Sequence, residues 1–230
     1  MDDRNNFKEF VGDNWEEYRQ FDAPEKQESI DLPPIKNSSE LKKEDGRIPD
    51  ILIHGLLYKE CKAIIAGGSK ARKSWLFIDL GLSVAHGLPW MGFETEQTEV
   101  LYLNFELIEG FFNRRLASVA RAKKVGLSPN FKVWNLRNIC YDLQLLLPMI
   151  KERLPNIGLI IVDPIYKALG DLDENSASDI AQLMRQIEEL CCETGASVVF
   201  GAHFAKGTQP GKQAKDRPSG PGVFIRDPDL

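Results

Sequence analysis

One stretch of this sequence has the residue types and spacing to hold a phosphate group. Lys62-Ala63-Ile64-Ile65-Ala66 reads as a short strand, and it runs directly into Gly67-Gly68-Ser69-Lys70-Ala71-Arg72-Lys73-Ser74 and the apolar helix start Trp75-Leu76-Phe77. Laid on the pattern G-x-x-x-x-G-K-[ST] from Gly67, Lys73 and Ser74 fall in register. Glycines let backbone amides turn inward as a nest for phosphate oxygens, and a helix N-terminus adds its dipole. Lys73 would neutralise the β- and γ-phosphates, and the Ser74 hydroxyl would help hold Mg²⁺. One position departs: Arg72 stands where the second glycine belongs, so it is expected to crowd the nucleotide or lower turnover.

Three further segments end in groups that fit the same chemistry. Leu159-Ile160-Ile161-Val162-Asp163 is an apolar run delivering a carboxylate, suited to a water on Mg²⁺; capping of the Asp163-Pro164 turn is the alternative. Val100-Leu101-Tyr102-Leu103-Asn104-Phe105-Glu106 also leads to an acid. Glu106 would orient or deprotonate an attacking water, with Glu109 a weaker rival and a solvent-facing glutamate the plain alternative. Val198-Val199-Phe200-Gly201-Ala202-His203 ends in a histidine, which at a strand tip beside a phosphate site would sense the γ-phosphate.

These groups need a scaffold that gathers them at one edge. Strand-like runs at 63–66, 100–105, 131–135, 158–163 and 197–201 alternate with helical stretches near 73–86, 109–124, 142–154 and 176–194. Nearly all-apolar strands separated by helices predict an α/β fold, a mostly parallel twisted sheet with helices on both faces. Right-handed crossovers place the ligand loops on one edge. The 230 residues, 43% apolar and 27% charged, suit a globular chain and exclude a disulfide scaffold, a collagen-like repeat and wholesale disorder. No apolar run approaches the ~20 residues of a membrane span, the start lacks a signal peptide's regions, and four cysteines with no C-x-x-C pair fit a reducing cytosol rather than a zinc framework. A cytoplasmic protein is expected.

Charge divides the chain. Residues 1–47 hold thirteen acids and eight bases, whereas the remainder holds twenty-one of each. The net charge of −5 therefore lies in the first 47 residues, read as a polar acidic tail or linker with a short helix around Phe7–Tyr18, and 48–230 as the folded domain. A Gly/Pro-rich segment at 204–220 carries Lys206, Lys212, Lys215 and Arg217 against Asp216, which suits a phosphate backbone as well as a solvated loop. The basic stretch with Arg114, Arg115, Arg121, Lys123 and Lys124 reads as a surface helix packed through Phe111, Leu116 and Val119. Trp75 and Trp90 read as packing.

The order Gly67…Lys73-Ser74, Leu103-Asn104-Phe105-Glu106, Ile161-Val162-Asp163-Pro164, Gly201-Ala202-His203-Phe204-Ala205-Lys206 and Gly222-Val223-Phe224-Ile225-Arg226-Asp227 resembles RecA-fold AAA family ATPases related to the plasmid replicative helicase RepA. The resemblance spans about 48–230. It implies a RecA-like P-loop NTPase with ATP and Mg²⁺ as cofactors. Gly67, Gly68, Ser69, Lys70, Ala71, Arg72, Lys73 and Ser74 would form the nucleotide loop, Ser74 and Asp163 the metal residues, Glu106 the catalytic glutamate, and His203 the sensor. Arg226 would be offered to a neighbouring subunit's nucleotide. Arg72 then looks like a subgroup trait. The family further implies hexameric rings with DNA in the channel, and a domain that continues beyond Leu230 with more strands. The expected function is a ring-forming, DNA-dependent ATPase or helicase of replication, recombination or mobile-element maintenance. The alternative is a nucleotide-binding regulatory module with weak hydrolysis, and a small-molecule kinase would need a lid that no arginine-rich segment supplies.

Overall fold

Aliphatic runs too apolar for any solvent-facing sheet become, in the computed structural model, five parallel strands: β3 (Lys62–Gly67), β4 (Glu99–Asn104), β5 (Phe131–Asn135), β6 (Ile157–Asp163) and β7 (Ser197–His203). The structure describes residues 34–41, 46–68, 70–139, 143–170, 172–203 and 229. The chain divides into two units, 1–47 and 48–230. In the first, Asn37 Oδ1 accepts from the amides of Ser39 and Glu40, closing a short turn. The expected helix around Phe7–Tyr18 lies outside the described residues.

In the second unit a small antiparallel pair, β1 (Ile51–Ile53) and β2 (Leu57–Tyr58), precedes the sheet. The sheet order is β3-β7-β6-β4-β5. Between the strands run α1 (Lys73–His86), α2 (Glu109–Lys123), α3 (Leu143–Arg153) and α4 (Ala177–Thr194), with a 3-10 turn at Ile165–Ala168.

The strands are mainly apolar, β6 most of all, because each feeds two cores, with polar residues such as Lys132 and Glu99 at the edge strand and strand ends. On β6, Leu159 and Ile161 pack with Phe77 and Ile78 of α1 and Phe112 of α2, whereas Ile160 and Val162 pack with Leu146 and Ile150 of α3 and Leu183 and Ile187 of α4. Successive side chains on a strand point to opposite faces, so a sheet covered on both sides has no polar alternate. The fold is the α/β parallel sheet with helices on both faces that the alternation predicts. Helix ends carry local stops: Gly87 and Gly195 follow α1 and α4 at φ 65° and 69°, left-handed positions that glycine takes without a Cβ clash. Ser176 caps α4 by accepting from the Asp179 amide.

Packing of α2 differs in phase from the expected one. Phe112 is fully buried, and Phe111 stands 59% exposed. The helix starts at Glu109, so 112, 116, 119 and 120 share the inner face at helical spacing. Cys191 is buried and Cys192 exposed, as core and helix face.

Candidate functional site

The turn from β3 into α1 forms the centre of the site. Gly67 ends β3 in close quarters: a Cβ there would lie 3.3 Å from Ala71 Cβ and 3.6 Å from Lys73 Cδ. The Lys73 ammonium donates to the carbonyls of Gly67 at 3.0 Å and Gly68 at 3.3 Å, drawn back over the turn. Arg72 caps α1 at φ 64°, ψ 28°, without a side-chain cap bond, and no acid occupies the helix's first turn. The dipole at this N-terminus therefore has no carboxylate of its own helix to offset it. Lys70 also sits at φ 64°. Ser69 lies outside the described residues.

Strand register sets the acids opposite this turn. Gly67 pairs with His203, and Asp163 pairs with Asn104, which pairs in turn with Asn135. These ends define one edge. Asp163 is 2% exposed, its Oδ2 accepts from the Tyr102 hydroxyl at 2.5 Å, and the Ser74 hydroxyl also bonds it. Burial pushes the Asp163 carboxyl above the ordinary carboxylate range; bonds from Tyr102 and Ser74 oppose this, Glu106 adds to it, and Lys73 opposes it. Burial likewise lowers Lys73 from the ordinary lysine value, against the attraction of Asp163 and Glu106. The two acids and the lysine thus share one field.

Glu106 lies two residues past β4, exposed, on a turn shaped by a buried asparagine. Asn104 accepts from the Leu107 amide at 2.9 Å, donates to the Leu107 carbonyl at 2.9 Å, and donates to Asn135 Oδ1 at 2.8 Å. A buried amide with these partners is fully engaged and fixes the loop it bonds.

Together these groups line a cleft of ≈ 390 Å³: the loop from Lys70 to Ser74, Glu106-Leu107, Asp163-Pro164, and Trp75 and Arg115. That volume lies in the range of small-ligand sites, about 300–1,000 Å³. Glu109 opens α2 and is not among the lining residues. Two lining residues correct the sequence reading. Trp75 is 37% exposed in the cleft rather than packed, and Arg115 stacks over its ring with Cζ 5.4 Å from the centroid. Among the described residues no carboxylate forms an ion pair with Arg115. The tryptophan directly after Ser74 is the available signal, and helix period alone cannot tell a cleft-facing arginine from a solvated one. Tyr102 and Asn104 are hidden inside an apolar run for the same reason.

The side chain of His203, Arg226 and the 204–220 segment lie outside the described residues. Asp229 bonds the backbone of Lys62 through its amide and its Oδ2. Trp90 is buried at 9% exposure, and its Nε1 has no hydrogen-bond partner among the described residues. None of the described helices is long and apolar enough to cross a membrane.

The sequence matches a protein-family model described as an AAA domain over residues 34–209, more than half of the chain. The chain belongs to the AAA domain family. No curated protein matches it significantly. As an AAA domain it carries the α/β fold of a RecA-like P-loop NTPase and is of the nucleotide-binding ATPase kind. The residues present fit a nucleotide with its metal. Among the described residues no cluster of three His, Cys, Asp or Glu could hold an ion unaided. The site instead offers one hydroxyl and one carboxylate in contact, Ser74 and Asp163. Mg²⁺ commonly binds through one or two such groups plus substrate phosphates.

Proposed function

We propose that this AAA domain binds and hydrolyses Mg-ATP, with Lys73 and Ser74 on the phosphates and metal, Asp163 as the second metal-side acid and Glu106 as the base. The observation that carries this reading is the meeting of Lys73, Ser74, Glu106 and Asp163 in one cleft at a helix N-terminus. Lys73 would exchange its two carbonyl partners for β/γ-phosphate oxygens, a stronger charge-assisted contact. Glu106 would accept the proton of the water that attacks the γ-phosphorus as the bond to the ADP leaving oxygen breaks. Arg115 would add a second cation facing the phosphates. Mg²⁺, held on the protein side by Ser74 and Asp163, would supply neutralisation of the phosphate charge.

We extend the reading to a ring-forming, DNA-dependent ATPase or helicase of the RepA-like group. The motif order from Gly67 to Arg226 supports it, as does a 204–220 segment with four bases against one acid. His203 would sense the γ-phosphate, Arg226 would reach a neighbouring subunit's nucleotide, 204–220 would contact DNA, and 1–47 would serve as a tail to the 48–230 domain. A cytoplasmic location fits this role.

A second reading, a nucleotide-binding regulatory module with weak hydrolysis, draws on Arg72, a cation in a glycine conformation on the cleft wall. ATP hydrolysis with and without single-stranded DNA, together with mass in solution, separates the two. Lys73→Ala should lower Mg-ATP affinity at least about tenfold with the fold intact, and unchanged affinity would remove the site assignment. DNA stimulation with a multimeric mass supports the ring; basal hydrolysis by a monomer, indifferent to DNA, supports the module.

A further inference from the structure

Most of the residues around Asp163 are explained by the cleft or by the core, but the hydroxyl of Tyr102 is explained by neither. The ring of Tyr102 is fully buried. It packs edge-on against Phe112 of α2, centroids 4.8 Å apart, and tilted against Phe131 of β5 at 6.2 Å. For that packing a phenylalanine would serve equally. A buried hydroxyl is costly unless it is bonded, and this one donates to Asp163 Oδ2. On the other side of the carboxylate stands Gly201 of β7. A Cβ at Gly201 would come within 2.9 Å of Phe77 Cε2, a clash, but only into ordinary contact with Asp163 Oδ1 at 3.5 Å, so β7 lies against Oδ1 while Tyr102 engages Oδ2.

We propose that Tyr102 is the positioning residue for Asp163: a rigid donor reaching from the core that fixes the rotation of the metal-side carboxylate. The proposal rests on the Mg-ATP reading above. Tyr102 lines neither the nucleotide nor the ion; it acts chiefly through Asp163, and its hydroxyl also bonds that of Ser74. Its ring is held by Phe112, six residues beyond Glu106 in the chain. The turn bearing the base and the donor aiming the acid therefore share one support, the start of α2. Partners that orient a metal ligand from behind are known to matter: removing one costs about 10–100-fold in metal affinity or activity.

The test is Tyr102→Phe in the full chain, which keeps the aromatic packing and deletes one oxygen. ADP and ATP binding are followed by calorimetry, once in EDTA and once across a Mg²⁺ titration, with thermal unfolding as a check on the fold. The expected result is unchanged nucleotide affinity in EDTA and a Mg²⁺ half-saturation raised about tenfold. In an Asp163→Ala background, which removes the acceptor, the same substitution should add much less than it does alone. Should Tyr102→Phe lose cooperative unfolding, Phe112→Leu, which leaves the hydroxyl but loosens its ring, should raise the Mg²⁺ requirement in the same direction. An unchanged Mg²⁺ half-saturation in a folded variant overturns the proposal. So does an equal loss of affinity with and without Mg²⁺, which would make Tyr102 merely structural. If the parent itself binds no Mg-nucleotide and Lys73→Ala changes nothing, the ATPase reading has failed instead.

Discussion

Replacing Arg72 by glycine should make the domain more stable. The residue sits at φ 64°, ψ 28° at the cap of α1, a conformation costing a residue with a Cβ roughly 1–2 kcal/mol. Glycine removes that cost but adds freedom to the unfolded chain, about 0.5–1 kcal/mol. The balance is a gain of about 0.5–1 kcal/mol, or roughly 1–4 °C in Tm for a chain of this size. No side-chain cap bond is lost, since Arg72 makes none. Arg72→Ala is the control, because alanine deletes the guanidinium but keeps the strained backbone. Thermal and urea unfolding of the two variants, without nucleotide, isolate the backbone effect. Arg72→Gly should exceed Arg72→Ala by about 0.5–1 kcal/mol, the same balance of strain against glycine's unfolded-state freedom. An alanine variant as stable as the glycine variant would refute the reasoning, because the loop would then not hold this residue left-handed.

Asp163→Asn should raise the stability of the nucleotide-free protein while abolishing turnover, since Asn still accepts from Tyr102 and removes a buried charge. The Asp163 pKa is raised by burial, so the folded state binds more protons than the unfolded one from about pH 3.8 up to the raised value. The parent accordingly loses stability as pH rises through that window, by about 1.4 kcal/mol for each pH unit the window spans. The Tm gap in favour of Asn should widen with pH and then level off, and a pH-independent gap would count against a charge origin. Glu106→Gln should retain ATP binding and slow hydrolysis by ~10²–10⁴, measured as single-turnover phosphate release; parental turnover would move the base elsewhere. If Arg226 acts across a subunit boundary, mixing Arg226→Ala with Lys73→Ala chains should restore activity, and rings that form without rescue would end that assignment.

The period of the sequence carries nearly the whole fold. Strand runs at 131–135 and 158–163 and helices at 73–86 and 176–194 match their elements to within a residue or so, because each is long, strongly patterned and stopped by a turn residue. The order β3-β7-β6-β4-β5 is not legible, since strand neighbours are chosen by packing of the crossovers rather than by any local signal. The β1–β2 pair escapes sequence reading because three residues against two carry too little pattern. At the site, Lys73, Ser74, Glu106 and Asp163 announce themselves by type at element ends. Tyr102, Asn104 and Arg115 do not: two are buried in an apolar strand, and the third differs from Arg114 only by 100° of helical turn.

The place of β7 sets the gauge of the cleft. Between the strand that feeds Lys73 and the strand that ends in Asp163 lies one other, so those two backbones are about 10 Å apart at two inter-strand spacings. The lysine turn and the acid thus rise from separate strand ends with the cleft between them. The spacer is also the strand bearing Gly201, which abuts Phe77 of α1 on one side and Asp163 on the other. A single added methyl there would press on Phe77 of the helix behind the phosphate turn, 2.9 Å away, while only touching the opposing acid at 3.5 Å. The width of the opening is therefore written into a strand whose only chemically suggestive residue is its last, His203.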